Sequence, residues 1–339
     1  MIQLSNSYRD FNAIAQEWYE MVNAYLDETR LQQMKNSLEQ FRMPKTGEAL
    51  SDVDKKLGAK ILDYFKQNLS FFVLADEQRL SQIANYYKVH VKDKRKLLHA
   101  GLKDAFGKLY KEFREYDVSR IVMDLYGQTV KSERLAYYFF TKLGVRTCPY
   151  CNRQYTFTIS SSNANTSPEY DHFYEKSKFP ILAVSFYNLV PSCHTCNHVK
   201  GTKDIRINPY FHEMQGTFSI VHTLSKKEVE GSELNNPGKK IDWELKFKNT
   251  NKADNRNIEV LGLRELYEQH DDYIDEMIAK TQAYNLCARQ ALTSAFQGAG
   301  YSERDVQDFI WGPYVDTAKH KERPLSKLTH DLLKQFEII

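Results

Sequence analysis

The chain has 339 residues, enough for two ordinary domains or one heavily elaborated domain, and its 42% hydrophobic and 27% charged content is that of a globular protein. The opening MIQLSNSYRDFNAIAQEWYE is neither a signal peptide nor a basic transit sequence, and Ser70–Ala75 and Phe179–Val190, the most apolar stretches, are too short or too polar to span a bilayer. A cytoplasmic chain with no membrane attachment is expected, and its net charge of +3 alone identifies no partner.

Residues 1–143 read as a helical N-terminal region. FNAIAQEWYEMVNAYLDETRLQQMKNSLEQF keeps apolar residues near helical spacing without Gly or Pro, and further helical patterns cover roughly 52–70, 77–88, 94–116, 117–127 and 130–143. Gly144 is a candidate C-cap for the last of these. Trp18, Tyr19 and Tyr25 are expected to build the region's own core, with docking of a partner as the alternative. The basic run Lys88, Lys92, Lys94, Arg95, Lys96 reads as a charged helix end facing solvent.

The texture changes over 144–212, where two Cys pairs, the polar insert SSSNANTSPE and short β-like runs replace the helical pattern. Eight Lys or Arg against four acids lie between Lys142 and Arg206, which leaves that window at +4 and the rest of the chain near −1. Residues 213–339 hold two candidate strands, Thr217–Thr223 and Trp243–Asn249, around a polar Asn-Asn-Pro-Gly loop, and return to helix from about 257 onward. The expected architecture is mainly α, with a small α+β core between helical N- and C-terminal regions.

Cys148-Pro-Tyr-Cys151 and Cys193-His-Thr-Cys196 each place two thiolates on a tight turn. Two such knuckles complete a closed tetrahedral sulfur shell, which suits a structural Zn²⁺ with no open position. Buried free cysteines are the bland alternative. His194 and His198 read as bystanders or phosphate contacts, and Cys287 reads as a packed core thiol.

Between and just after the knuckles lie Tyr170-Asp171-His172-Phe173, then Asn188, then Asn197 in CNHVKGTK. In these residues the chain resembles the zinc-containing branch of the HNH, or ββα-metal, endonuclease family. The resemblance covers roughly 60 residues and implies phosphodiester hydrolysis in nucleic acid, DNA before RNA. It makes Asp171 and Asn197 the oxygen ligands of a catalytic Mg²⁺ or Mn²⁺, His172 the general base and Asn188 the residue that ties the hairpin loop and orients the base. Regular strand alternation sends Asp171 and His172 to opposite faces, so local twisting is needed for both to reach one phosphate. The chain departs from many members in having Asn197 where they have His, and Glu175 shortly after Asp-His where they have Pro. Glu175 reads as a solvated charge before an outer-shell acid.

Lys176, Lys178, Lys200, Lys203 and Arg206 surround this motif and are candidate phosphate contacts, with a solvated basic face as the alternative. The run DHFYEKSKFPILAVSFYNLVPSCHTCNHVKGTKD, the following INPY and the closing RPLSKLTHDLLKQF are similar to bacterial HNH proteins that accompany ATPases in antiphage modules of the Septu and retron kinds. That implies a defence role beside an ATPase partner. The competing readings are a ββα RNase and a non-catalytic zinc module that binds nucleic acid.

Overall fold

The computed structural model describes every residue except 5–9, 162–164, 236–237 and 285. Eight helices come first: α1 Phe11–Tyr25, α2 Glu28–Glu39, α3 Asp52–Gln67, α4 Leu69–Val73, α5 Glu77–Tyr87, α6 Lys96–Glu115, α7 Val118–Tyr126 and α8 Leu135–Leu143. A short hairpin, β1 Ile159–Ser160 with β2 Asn165–Thr166, leads into a second, β3 Glu169–His172 with β4 Leu189–Ser192, and then α9 His194–Lys200. A third antiparallel pair, β5 Thr217–His222 with β6 Trp243–Lys248, precedes α10 Lys252–Leu261, α11 Leu263–Tyr267, α12 Asp271–Ala283, α13 Leu286–Gly298, α14 Glu303–Trp311 and α15 Ser326–Gln335. No helix among the described residues is long and apolar enough to cross a membrane.

Local chemistry sets most of these boundaries. The periodic stretch over 11–41 is two helices because Asp27 turns its carboxylate onto the Arg30 N–H and starts α2 as an N-cap. Gly144 closes α8 in the left-handed region at φ 56°. Residues 130–134 form no helix, and Asp117 and Arg134 pair as an isolated bridge. The basic run at 88–96 begins as a π-helical turn, Lys88–Lys92, rather than a plain helix end, and Arg95 pairs with Asp54 at 2.5 Å. Part of the SSSNANTSPE insert and of the Asn-Asn-Pro-Gly loop lies outside the described residues.

Two apolar cores result. The first gathers buried residues between Met1 and Leu263, those of 218–245 excepted, and includes the cysteine knuckles and the β3–β4 hairpin. Trp18 joins the helices to that hairpin. It is 1% exposed, meets Phe113 and Phe139 edge-on at 5.1 and 4.7 Å, and donates its indole N–H to the Val184 carbonyl at 2.8 Å. The helical region's central side chain is thereby tied to the loop joining β3 and β4. The second core packs β5 and β6 against α12, α14 and α15. Cys287, read from sequence as a packed thiol, is exposed on α13, because that helix buries only its Leu292 and Phe296 flank partly against the second core.

Candidate functional site

Cys148, Cys151, Cys193 and Cys196 are all buried, and their sulfurs lie within 4.8 Å of one another. Cys151 and Cys193 stand 3.9 Å apart. Four sulfurs held ~2.3 Å from a common centre would stand about 3.8 Å apart, whereas a disulfide needs ~2.05 Å. The backbone N–H groups of Arg153 and Cys196 donate to the sulfurs of Cys151 and Cys193 at 3.4 and 3.5 Å. Hydrogen bonds from the other thiols and the Arg153 N–H draw the Cys151 thiol well below its ordinary range. The cluster is compatible with structural zinc, which these four thiolates would hold while joining the two knuckles.

The knuckles frame a β3–β4–α9 unit. His172 pairs with Leu189 and Glu169 with Ser192, and Cys193 caps α9. Along β3 the side chains alternate. Asp171 faces Tyr150 and α9, and His172 faces α6. Among the described residues no hydrogen bond joins the two side chains to a common group.

Asp171 is 3% exposed and both its oxygens are engaged. Oδ2 accepts from the Tyr150 hydroxyl at 2.7 Å, and Oδ1 accepts from Lys200 Nζ at 2.9 Å. Lys200 is fully buried and gives a second bond to the His172 carbonyl at 2.7 Å. Burial raises the Asp171 carboxyl above its ordinary value, against the opposing pull of Lys200 and Tyr150. Lys200, a candidate phosphate contact from sequence, is therefore an internal cation.

His172 is 5% exposed, with its ring 4.7 Å from Tyr110 on α6. Nε2 lies 3.0 Å from the Ala183 carbonyl; a carbonyl only accepts, so this nitrogen carries the proton and Nδ1 is left basic. Among the described residues the ring's hydrogen bond is the one at Nε2. Burial first, then the charges of Lys176, Lys200 and Arg114, lowers the ring's pKa to about 3. Asn188, fully buried, spans the loop that places Ala183. Its Oδ1 accepts from the Tyr174 N–H at 2.7 Å, and its Nδ2 donates to the carbonyls of Tyr174 and Leu182 at 3.1 and 3.0 Å.

Asn197 donates its amide to Glu169 at 2.5 Å, and the other Glu169 oxygen lies 2.8 Å from His194 Nδ1. Burial alone would raise Glu169, but His194, Asn197 and Arg114 together hold it below the usual carboxylate range. Asp171 and Asn197 thus look to different partners. A hard cation needs open oxygens about 2.0–2.1 Å away, and the position against Asp171 is taken by an ammonium. The pair does not fit Mg²⁺ or Mn²⁺ as arranged here.

A segment of this chain is similar to the Septu protein PtuB of Bacillus thuringiensis. The likeness is 46% identity over 68 residues, 19% of this chain and 26% of the relative, so this chain matches about a quarter of that protein's length. No family model and no solved structure matches.

The remaining basic candidates separate by their contacts. Lys176 reaches over Tyr110, 4.8 Å from the ring centre, and makes no hydrogen bond or ion pair among the described residues. Lys178 pairs with Asp204 at 2.9 Å, Lys203 bonds the Val199 carbonyl, and Arg206 is exposed with its backbone N–H on Asn257. Glu175, read as solvated, instead accepts from the backbone of Ser177 and Lys178 and shapes that turn. Tyr110 on α6 packs against His172, and the charge of Arg114 on the same helix reaches the ring; α6 is far from the motif in the chain and carries no local signal. Tyr150 was hidden in plain view inside the first knuckle.

Proposed function

We propose that the chain is a nuclease of the HNH kind, hydrolysing phosphodiester bonds in DNA, with a role in antiphage defence beside an ATPase partner. The observation that carries the nuclease reading is the state of His172. A neutral imidazole with its proton set on Nε2 by the Ala183 carbonyl makes Nδ1 the nitrogen that would take a proton from an attacking water. Lys176, over the Tyr110 ring that packs on His172, supplies positive charge for a phosphate. Asn188 holds the loop that holds Ala183, and so orients the ring from a distance. Zinc, when bound to the four cysteines, supplies structure and no chemistry. The defence role rests on the partial likeness to PtuB together with the sequence resemblance to ATPase-associated HNH proteins.

The test is incubation of purified protein with supercoiled plasmid and with total tRNA, each with Mg²⁺ and with EDTA, beside His172→Ala. Plasmid nicking lost in His172→Ala supports the reading. Cleavage of tRNA alone makes the chain an RNase, and binding without cleavage of either makes it a zinc nucleic-acid module. For the defence role, phage plating on cells carrying the chain with and without a candidate ATPase partner is decisive: protection that needs neither His172 nor the ATPase overturns it.

A further inference from the structure

The pairing of Lys200 with Asp171 has its own chemical logic. Both side chains are closed to solvent, and each is delivered by an element that a knuckle anchors. Lys200 ends α9, which begins at Cys193, and the second oxygen of Asp171 is held by Tyr150 between Cys148 and Cys151. A lysine sealed from water is retained only where its charge and protons are met, and here one proton goes to a carboxylate and another to a backbone carbonyl. That carbonyl belongs to His172, so the ammonium links the Asp171 side chain to the main chain of the candidate base.

We infer that Lys200 is the resident counter-ion of Asp171 and a positioning residue for His172, its ammonium filling the place against the carboxylate that a divalent cation would otherwise take. Two cations do not share that place. With the ammonium bonded to Oδ1 and to the His172 carbonyl, a hard cation would have to expel it into an apolar core to reach the same oxygens. Removal of Lys200 therefore creates a divalent site rather than destroying one. The inference concerns the same site as the nuclease reading, but its test reads metal and stability, so either can fail while the other stands.

The experiment measures Mn²⁺ binding by calorimetry and the melting temperature with and without Mn²⁺. It uses the zinc-loaded full chain, Lys200→Met, Asp171→Asn, the Asp171→Asn/Lys200→Met double variant and the exposed control Lys203→Met. The native protein and Lys203→Met should show no Mn²⁺ site at this position and no melting shift. Lys200→Met should melt lower and be raised again by Mn²⁺, at one ion per chain. The double variant, uncharged and similar in shape, should recover part of the lost stability and ignore Mn²⁺. A native protein that binds one Mn²⁺ per chain, loses it in Asp171→Asn and keeps it unchanged in Lys200→Met overturns the inference. Should Lys200→Met fail to fold, the native titration against Asp171→Asn and the double variant still decides.

Discussion

Lys200 Nζ stands 2.9 Å from Asp171 Oδ1, with the two side chains 0% and 3% exposed. An ion pair so enclosed contributes little net stability compared with a well-packed apolar pair, yet breaking it from one side is costly. Asp171→Ala leaves a buried ammonium without its carboxylate and should lose about 3–5 kcal/mol in denaturant unfolding. If Asp171 were an open metal ligand, the same change would leave stability nearly untouched. A loss below about 1 kcal/mol would rule out the closed pair.

The cysteine cluster makes a compositional prediction. The purified chain should carry one zinc, bound through Cys148, Cys151, Cys193 and Cys196, all buried within 4.8 Å of one another. Replacing any one with Ser should release the metal and loosen the β3–β4 hairpin, since structural zinc contributes on the order of 10 kcal/mol in small zinc domains. Elemental analysis is the check, and well-folded protein free of zinc would refute the assignment.

His172 alters the pH behaviour that sequence alone suggests. An ordinary histidine base would give a rate rising through ~6.5. Here burial and the neighbouring cations bring its pKa to about 3, so the basic form is already populated at pH 5. Cleavage should show no step near 6.5 from this residue. Stability should move the other way. Between ~6.5 and 3 the unfolded chain takes up a proton that native His172 refuses, so stability falls as pH drops through that window, by about 1.4 kcal/mol per unit at most. Above ~6.5 both states are neutral and the slope from this residue vanishes. His172→Gln should reduce that slope in melting curves, leaving the share of His320, which burial also lowers to about 3, and an unchanged slope would place the responsible proton elsewhere.

What could be read in advance was whatever local spacing carries. The two C-x-x-C turns, the left-handed Gly144 stop and the strands near 217 and 243 are short-range features, and the structure has them close to the expected positions. The break at Asp27 is not legible in the spacing, because a cap there competes with an unbroken apolar period, and the cap prevails. Lys200 misled for a different reason. A lysine reads as exposed unless its counter-ion is known, and Asp171 meets it only across the β3–α9 packing. Arg114 and Tyr110 were invisible for the same reason, since α6 reaches His172 by tertiary contact alone.

Lys176 can be tested as a phosphate contact against Arg114 and Lys178, whose charges are already met by Glu115 at 2.8 Å and Asp204 at 2.9 Å. Lys176→Gln should weaken nucleic-acid binding uniformly across sequences and reduce the slope of log affinity against log salt by about 1. Arg114→Gln and Lys178→Gln should change it less. Fluorescence anisotropy over a salt series gives the slopes, and equal effects at all three positions would mean a diffuse basic surface instead of a site beside His172.

Asn152 supplies the last prediction, because it fastens the C-terminal region to the first knuckle. It follows Cys151 directly, is fully buried and sits in the left-handed region at φ 51°, which Asn tolerates better than most residues. Its Nδ2 donates to Thr147 Oγ1 at 3.2 Å and to the His320 carbonyl at 2.8 Å, its Oδ1 accepts from the Lys327 N–H at 3.0 Å, and its own carbonyl accepts from the Leu325 N–H at 2.6 Å. Asn152→Gly keeps the backbone geometry and removes only the side-chain bonds, so φ strain does not cloud the result. Left without partners in a closed interface, the His320 carbonyl and the Lys327 N–H should together cost about 2–4 kcal/mol. The cysteines are untouched, so zinc content should hold while residues 312–327 become open to limited proteolysis. Asn152→Asp should fare no better, since it keeps the acceptor for Lys327 but turns a carboxylate oxygen towards the His320 carbonyl. A glycine variant with native denaturant midpoint and native protease resistance would show that the second core holds this segment without the knuckle.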